Sequence, residues 1–153
     1  MDKKLNYSLK NSRSIFNYTI TDQNIKNYIY SWLKYLDLEK GFSEKTISSY
    51  EIDFRKFLNF LCWYKKNKYI DLSSLSKDNL IKIINSDFNF EKIDLSSSSL
   101  FELKYNEIRP YLFFITFLNY KKTTRRRIVA AIKSFYKYLY KNNKKIDPSI
   151  LNE

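Results

Sequence analysis

The sequence predicts an all-α protein, a small bundle of four to five helices. Apolar residues recur at spacings of three and four in three segments, which is the pattern of helices that each bury one face. A fourth apolar segment has no second strong strand to pair with, so a helix is favoured there over a buried strand. With 153 residues, 44% of them apolar, the chain can bury the core of one domain.

The first predicted helix runs from Gln23 to about Glu39 and stops at Gly41. Glycine adopts the left-handed conformation of a helix C-terminus without a steric penalty, and this is the only glycine in the chain. Residues 1–22 have no sustained period and are expected to form a poorly ordered arm. The apolar face has spacings of 4, 3 and 4 and comprises Ile25, Ile29, Trp32 and Leu36.

The second predicted helix is long and begins after Ser43, whose hydroxyl can cap the first turn. The lysine-rich run at 65–68 ends it. Its apolar stripe has spacings of 3, 4, 3, 4 and 3 and comprises Ile47, Tyr50, Phe54, Phe57, Leu61 and Tyr64. Its opposite face comprises Lys45, Ser48, Ile52, Lys56 and Asn59.

The next segment, 69–106, is acidic and is a poor candidate for binding phosphates. It holds four basic and six acidic side chains, a net charge of 4 − 6 = −2. We predict one short helix over 76–84, capped by Ser76, and an extended loop over 85–106. A third main helix is predicted to begin near 107–110 and to continue to 118. Because it is apolar on nearly all sides, we expect it at the centre of the core.

The fourth main helix, predicted over 123–143, is amphipathic and basic. Its apolar face has spacings of 4, 3 and 4 and comprises Ile128, Ile132, Phe135 and Leu139. At about 100° per residue, the opposite face gathers Arg126, Lys133, Lys137 and Lys141. Such a helix fits an anionic membrane surface or a DNA major groove. The membrane reading is the weaker one, because the other helices need the aliphatic face as a packing partner.

The positive charge of the chain is concentrated around this helix. The whole chain has a net charge of 28 − 16 = +12, and residues 107–145 contribute 11 − 1 = +10. A concentrated positive field favours a polyanionic partner, which is bound with release of counterions. The alternative is a solvated lysine-rich face in a protein from an AT-rich genome.

The start of the fourth helix is a candidate phosphate site. Hydroxyls, guanidinium groups and free backbone N–H groups meet at this N-terminus, and phosphate oxygens accept hydrogen bonds from all three. At most two of the three consecutive arginines are expected to face one groove. The candidates here are Lys121, Lys122, Thr123, Thr124, Arg125, Arg126 and Arg127. A weaker version of the same pattern begins the second helix, at Lys45, Thr46 and Ser49.

Composition excludes several classes of chemistry. With no His and one Cys, the chain cannot build a Cys/His zinc site, a Ser-His-Asp triad, a Cys-His dyad or an internal disulfide. A single Gly leaves no Walker or dinucleotide-binding loop. We therefore expect no cofactor, no metal and no small-molecule substrate. The sequence shows neither a signal peptide nor an apolar run long enough to span a membrane, so a cytoplasmic location is expected.

Two segments resemble the signatures of one known family. The sequence G-F-S-E-K-T-I-S-S-Y at 41–50, followed by Asp53, Phe54, Phe57 and Phe60, resembles the G-L-S-x-x-T-x-x-x-Y-x-x-D-L-x-x-F-x-x-F motif that opens the N-terminal domain of tyrosine recombinases. The sequence R-I-V-A-A-I-K-S-F-Y-K-Y-L at 127–139, with Asp-Pro at 147–148, resembles the motif R-x-L-S-A-I-R-S-F-Y-R-Y-L … N-P that closes it. The Xer recombinase/integrase group is the closest likeness.

The resemblance covers about residues 23–150 and implies a SAM-like core-binding domain. In this family that domain forms half of a C-shaped clamp around duplex DNA, with its second and fourth helices crossing the major groove. Carried over by position, the resemblance implies DNA contacts for Lys45, Thr46, Ser49, Arg127 and Lys133. Charge and placement add Lys122, Thr124, Arg125, Arg126 and Lys137.

The chain departs from the family pattern at Ala130, where Ser is usual, and at Lys133, where Arg is usual. The acidic connection at about 71–106 is also longer than is ordinary for the family. We expect a helical DNA-binding domain over 23–146 and, over 147–153, the start of a linker to a catalytic domain that is absent. That domain carries a His-x-x-Arg motif and a Tyr nucleophile in this family. Since the chain has no His, we expect it not to be an enzyme by itself.

The function implied is that of the DNA-binding domain of a Xer-type site-specific recombinase. It would clamp a recombination half-site, with other protomers in a synaptic tetramer, during DNA integration or chromosome segregation. Chromosomal Xer proteins and mobile-element integrases remain equally open. The alternative function is that of a truncated recombinase remnant which acts as a helical protein-interaction module.

Overall fold

The computed structural model describes residues 20–67, 69–79, 94–142, 146 and 150, and within these residues it is helical with no extended strand. The all-α class predicted from the sequence is confirmed. None of the described helices is both long enough and apolar enough to cross a membrane. The helices are α1 (Gln23–Leu38), α2 (Glu44–Lys66), a 3₁₀ turn (Leu72–Ser74), α3 (Ser97–Phe101), α4 (Tyr105–Phe117) and α5 (Lys122–Lys141).

Local sequence signals set the ends of α1 and α2. The Asp22 carboxylate accepts a hydrogen bond from the backbone N–H of Ile25 at 3.0 Å and caps α1. Gly41 has φ +66°, in the left-handed region where a side chain would be strained, and it ends the α1 turn as predicted. The Ser43 hydroxyl accepts from the N–H of Thr46 at 3.2 Å and caps α2, also as predicted.

The central element of the core is α2, which packs against α1, α4 and, most extensively, α5. In its C-terminal half the buried side chains extend beyond the predicted stripe, to Leu58, Phe60, Cys62 and Trp63. The prediction that the third main helix, α4, is central was wrong. Phe113 on α4 is 41% exposed. The apolar composition of a helix does not show whether the helix has neighbours on both sides.

Three aromatic side chains join α1, α2 and α5. Trp32 of α1 has its ring centroid 5.4 Å from both Phe54 of α2 and Phe135 of α5. The Phe54 and Phe135 centroids are 4.3 Å apart. All three are buried. Trp32 also donates its indole N–H to the hydroxyl of Ser134 at 3.0 Å, so its buried polar atom is paired.

The connection before α4 differs from the extended loop predicted over 85–106. Its described part contains α3, capped by Ser96, whose hydroxyl accepts from the N–H of Ser99 at 3.2 Å. Leu95, Leu100 and Leu103 are buried in the core. These three leucines lie within nine residues and do not form a sustained helical period of apolar residues. The sequence pattern therefore did not predict a helix here.

Tyr136 of α5 is fully buried. Its hydroxyl donates to the carbonyl of Leu100 at 2.9 Å, and this hydrogen bond ties α5 to α3. Burial raises the pKa of the Tyr136 hydroxyl well above its ordinary value, so it stays protonated.

Some predicted elements lie partly outside the described residues, including residues 1–19 of the arm predicted over 1–22 and most of the short helix at 76–84. The first turn of this short helix is described at 77–79. There the Ser76 hydroxyl accepts a hydrogen bond from the N–H of Asn79 at 3.2 Å. Ile20 and Ile150 are buried with the core. The predicted domain boundaries remain predictions.

We expect Ile132→Asp to cost more than about 3 kcal/mol of unfolding free energy, because it places a carboxylate where the side chain is 2% exposed. Lys137→Ala, on the exposed side of α5, should change the unfolding free energy by less than about 0.5 kcal/mol. Urea unfolding followed by circular dichroism measures both values. Equal destabilisation by the two changes would contradict the assignment of the α5 faces.

Candidate nucleic-acid interface

An ion pair joins the two helices that carry the predicted DNA contacts. Arg127 of α5 donates from Nε to Oδ2 of Asp53 at 2.7 Å and from Nη2 to Oδ1 at 3.0 Å. The Asp53 side chain on α2 is 3% exposed, whereas that of Arg127 is 46% exposed. The hydrogen bonds to Asp53 raise the pKa of Arg127, which keeps the guanidinium charged.

This ion pair fixes which solvent-facing positions of α2 and α5 lie side by side. On α2, Ser49 and Lys56 lie one turn before and after Asp53 on the solvent side. On α5, Thr123 and Ala130 lie one turn before and after Arg127. We define the α2–α5 face by these positions and their exposed neighbours: Lys45, Ser49, Lys56, Thr123, Arg126, Arg127, Ala130 and Lys137.

The exposed charge of the α2–α5 face is positive. No acidic residue occurs in α5. On α2, Asp53 pairs with Arg127, and Glu51 is buried beside Arg55, with Nε 3.7 Å from Oε1. The third acidic residue of α2, Glu44 in its first turn, is exposed.

The acidic connection meets α2 at the other end of that helix. Lys65, in the last turn of α2, donates to the hydroxyl of Ser99 in α3 at 2.7 Å. A helix rises 1.5 Å per residue, so Lys65 is about 30 Å along the axis from Lys45. The connection is therefore joined to α2 at the end opposite to Lys45. Among its described residues, the exposed acids are Asp71, Asp78, Asp94 and Glu102.

The three consecutive arginines at the start of α5 point in three directions. Arg125 is directed to α4, where its Nη1 donates to the hydroxyl of Thr116 at 3.1 Å. Arg127 is held by Asp53. Arg126 is exposed and forms no ion pair with any residue that the structure describes. Arg126 and Arg127 thus belong to the α2–α5 face, while Arg125 is turned away from it.

The N-terminus of α5 has no side-chain cap. Lys121 at the cap position makes no side-chain hydrogen bond to the first turn, and that turn contains no acidic residue. Its backbone N–H groups therefore remain available to an anion. Lys122 is exposed at this end and Thr124 is half-buried.

The predicted contacts at the start of α2 are only partly available. Lys45 is exposed and Ser49 is half-buried. Thr46 is engaged in the helix cap, since its N–H donates to the Ser43 hydroxyl and its own hydroxyl accepts from Ser43 at 3.0 Å.

Lys56 was not among the predicted contacts, although it is exposed one turn after Asp53. Its place on the polar face of the second helix, three residues after the Asp of the opening motif, was the available signal. Lys133 lies at the edge of the α2–α5 face. It borders an apolar recess between α4 and α5, together with Leu112 and Val129, and it is half-buried.

We expect Arg127→Leu to lower the unfolding free energy by about 2 kcal/mol, because it leaves the Asp53 carboxylate buried without its ionic partner. This is less than the roughly 3–5 kcal/mol expected for breaking a fully buried pair, since water reaches the Arg127 side. Arg126→Leu is the matched control and should change the value by less than about 0.5 kcal/mol. Chemical denaturation of both variants tests this. Equal effects would contradict a structural role for the ion pair.

Comparison with known proteins finds similarity to one type of domain. Residues 29–85 match the family described as "Phage integrase, N-terminal SAM-like domain". The chain is 26% identical over 120 residues to a tyrosine recombinase XerC of Rickettsia felis, and 29% identical over 120 residues to the XerC proteins of Rickettsia bellii and Rickettsia typhi. Each alignment covers 78% of this chain and 31% of the relative, so the chain spans about a third of the length of these relatives. No solved structure matches the chain significantly. These matches support a tyrosine recombinase N-terminal domain in this chain.

Proposed function

We propose that this chain is the DNA-binding domain of a Xer-type site-specific recombinase and that its α2–α5 face lies against duplex DNA. The observation that carries the proposal is the Asp53–Arg127 pair, which joins α2 to α5 between the exposed basic residues of the two helices. The similarity to XerC tyrosine recombinases supports the same assignment. In this arrangement α2 and α5 cross the major groove.

Most of the proposed contacts are to phosphates. Lys and Arg side chains and helix N-termini bind the DNA backbone and set the position of the protein, without reading the sequence. We assign this role to the first-turn N–H groups of α5 and to Lys45, Lys56, Lys122, Arg126 and Lys137. Ser49, Thr123, Thr124 and Lys133 flank these groups. Thr46 and Arg125 act through their intramolecular hydrogen bonds, which hold the ends of α2 and α5 in place.

In a complete recombinase, this domain would clamp a half-site while a catalytic domain cuts and rejoins the strands. We propose a domain over 23–146, preceded by an arm and followed at 147–153 by the start of a linker. Alone, the chain would bind DNA without cleaving it. The same role implies other protomers as partners in a synaptic tetramer and a function in DNA integration or chromosome segregation.

The alternative, a module that binds other proteins, receives less support from the described surface. Such a module needs a contiguous apolar patch. Four large apolar side chains are exposed in the described part of the chain, and they are Leu38, Tyr69, Phe113 and Tyr140. Tyr69 and Phe113 both lie beside Tyr64, so they form a cluster of two.

We expect duplex binding to weaken steeply with salt, with a log–log slope of about 0.9 for each phosphate neutralised. The variant Arg126→Ala/Lys137→Ala should reduce this slope by about 2 and weaken binding by about tenfold or more at low salt. Fluorescence anisotropy of a labelled duplex, titrated at several salt concentrations, measures both quantities.

Lys104→Ala combined with Lys77→Ala is the matched control, because it removes the same charge from two exposed lysines in the connection. It should leave the slope nearly unchanged. A flat salt titration of the unmodified chain, or an equal loss in the control, would contradict the proposed face.

A further inference from the structure

We propose that Asp53 is a positioning residue for DNA binding. Its buried carboxylate holds one edge of the Arg127 guanidinium, so that the other edge faces solvent on the α2–α5 face and can donate to a phosphate. This inference rests on the proposed function. It assigns Asp53 a role although the residue itself is nearly inaccessible.

The donors of Arg127 divide between the two sides. Asp53 accepts from Nε and from Nη2, which uses two of the five N–H groups of the guanidinium. Within the described residues, the other three N–H groups, two on Nη1 and one on Nη2, have no hydrogen-bond partner. The edge of the guanidinium that faces Asp53 is shielded from water, since the Asp53 side chain is 3% exposed. The 46% exposure of the Arg127 side chain therefore belongs to its other atoms. A phosphate reaching this edge can accept two parallel hydrogen bonds.

The exposure of the pair is what distinguishes positioning from simple structural support. A pair that only joined α2 to α5 could be buried on both sides, or replaced by apolar side chains at little cost. Here Asp53 is removed from water, whereas the side chain of Arg127 is about half exposed, beside Arg126 and the first turn of α5. Because Asp53 has already fixed the guanidinium on folding, binding a phosphate requires little further ordering of this side chain.

Charge and positioning predict opposite effects when Asp53 loses its charge. Considered as charge alone, Asp53 repels phosphate, and Asp53→Asn should strengthen DNA binding. If the carboxylate positions Arg127, the same substitution should weaken binding, because an amide oxygen holds the guanidinium less firmly. The direction of the change therefore decides between the two.

The experiment compares Asp53→Asn with Glu44→Gln in the full chain. Glu44 is an exposed carboxylate in the first turn of α2, so its substitution removes the same charge without touching Arg127. Affinity for a labelled duplex and its salt dependence are measured well below the thermal midpoint of each variant. We expect Glu44→Gln to bind as tightly as the unmodified chain or tighter, and Asp53→Asn to bind about fivefold more weakly.

Asp53→Asn binding as tightly as Glu44→Gln would overturn the positioning role, while a steep salt dependence of the unmodified chain would leave the proposed function in place. Absence of salt-dependent duplex binding by the unmodified chain would overturn both.

If Asp53→Asn does not fold, the variant Arg127→Lys tests the inference instead. Its single ammonium can pair with Asp53 but has no second edge, so the salt slope should fall by about 0.9, the value for one phosphate. An unchanged slope and affinity would overturn the inference.

Discussion

The orientation of α5 on α2 depends on a carboxylate that is almost removed from water. A carboxylate removed from water needs a partner that supplies hydrogen bonds as well as opposite charge. Arg127 supplies both through two hydrogen bonds of fixed geometry. Rotation of α5 about its own axis would separate these atoms. The next residue on α2, Phe54, packs on Phe135 of α5, so the polar and apolar contacts favour the same orientation.

An ion pair of this kind contributes more to geometry than to net stability. Its Coulomb energy is largely offset by desolvation, and apolar side chains of similar volume would often hold two helices equally well. Apolar side chains would present no hydrogen-bond donors at the surface, however. The pair between Asp53 and Arg127 fixes the helices and at the same time leaves a cationic group exposed between them. This combination links the packing of the bundle to the surface that we propose for DNA.

The placement of α2 at the centre of the bundle explains how the charges are separated. It contributes Lys45, Ser49 and Lys56 to the α2–α5 face, from its first turn to just past its middle, and its last turn contacts α3 through Lys65. The acidic connection follows the C-terminal end of α2, so helix length keeps it away from the start of the basic surface. The sign of the net charge of each segment is a property of the sequence, but the separation of the segments in space depends on where α2 lies.

The sequence by itself determined the class of fold, most helix ends and the family likeness. Ser43 and Gly41 set helix ends through contacts within one turn, and the apolar period of the fourth helix identified Ile128, Ile132, Phe135 and Leu139 as buried. These signals are local, so they can be read without knowing the fold. Tertiary structure alone decided that α2 is central and that a short helix, α3, lies in the connection before α4. It also decided which of the three arginines at 125–127 contacts α4, which contacts α2 and which is exposed. The partner of Arg127 is 74 positions away in the chain, and it is found only when α2 and α5 pack together.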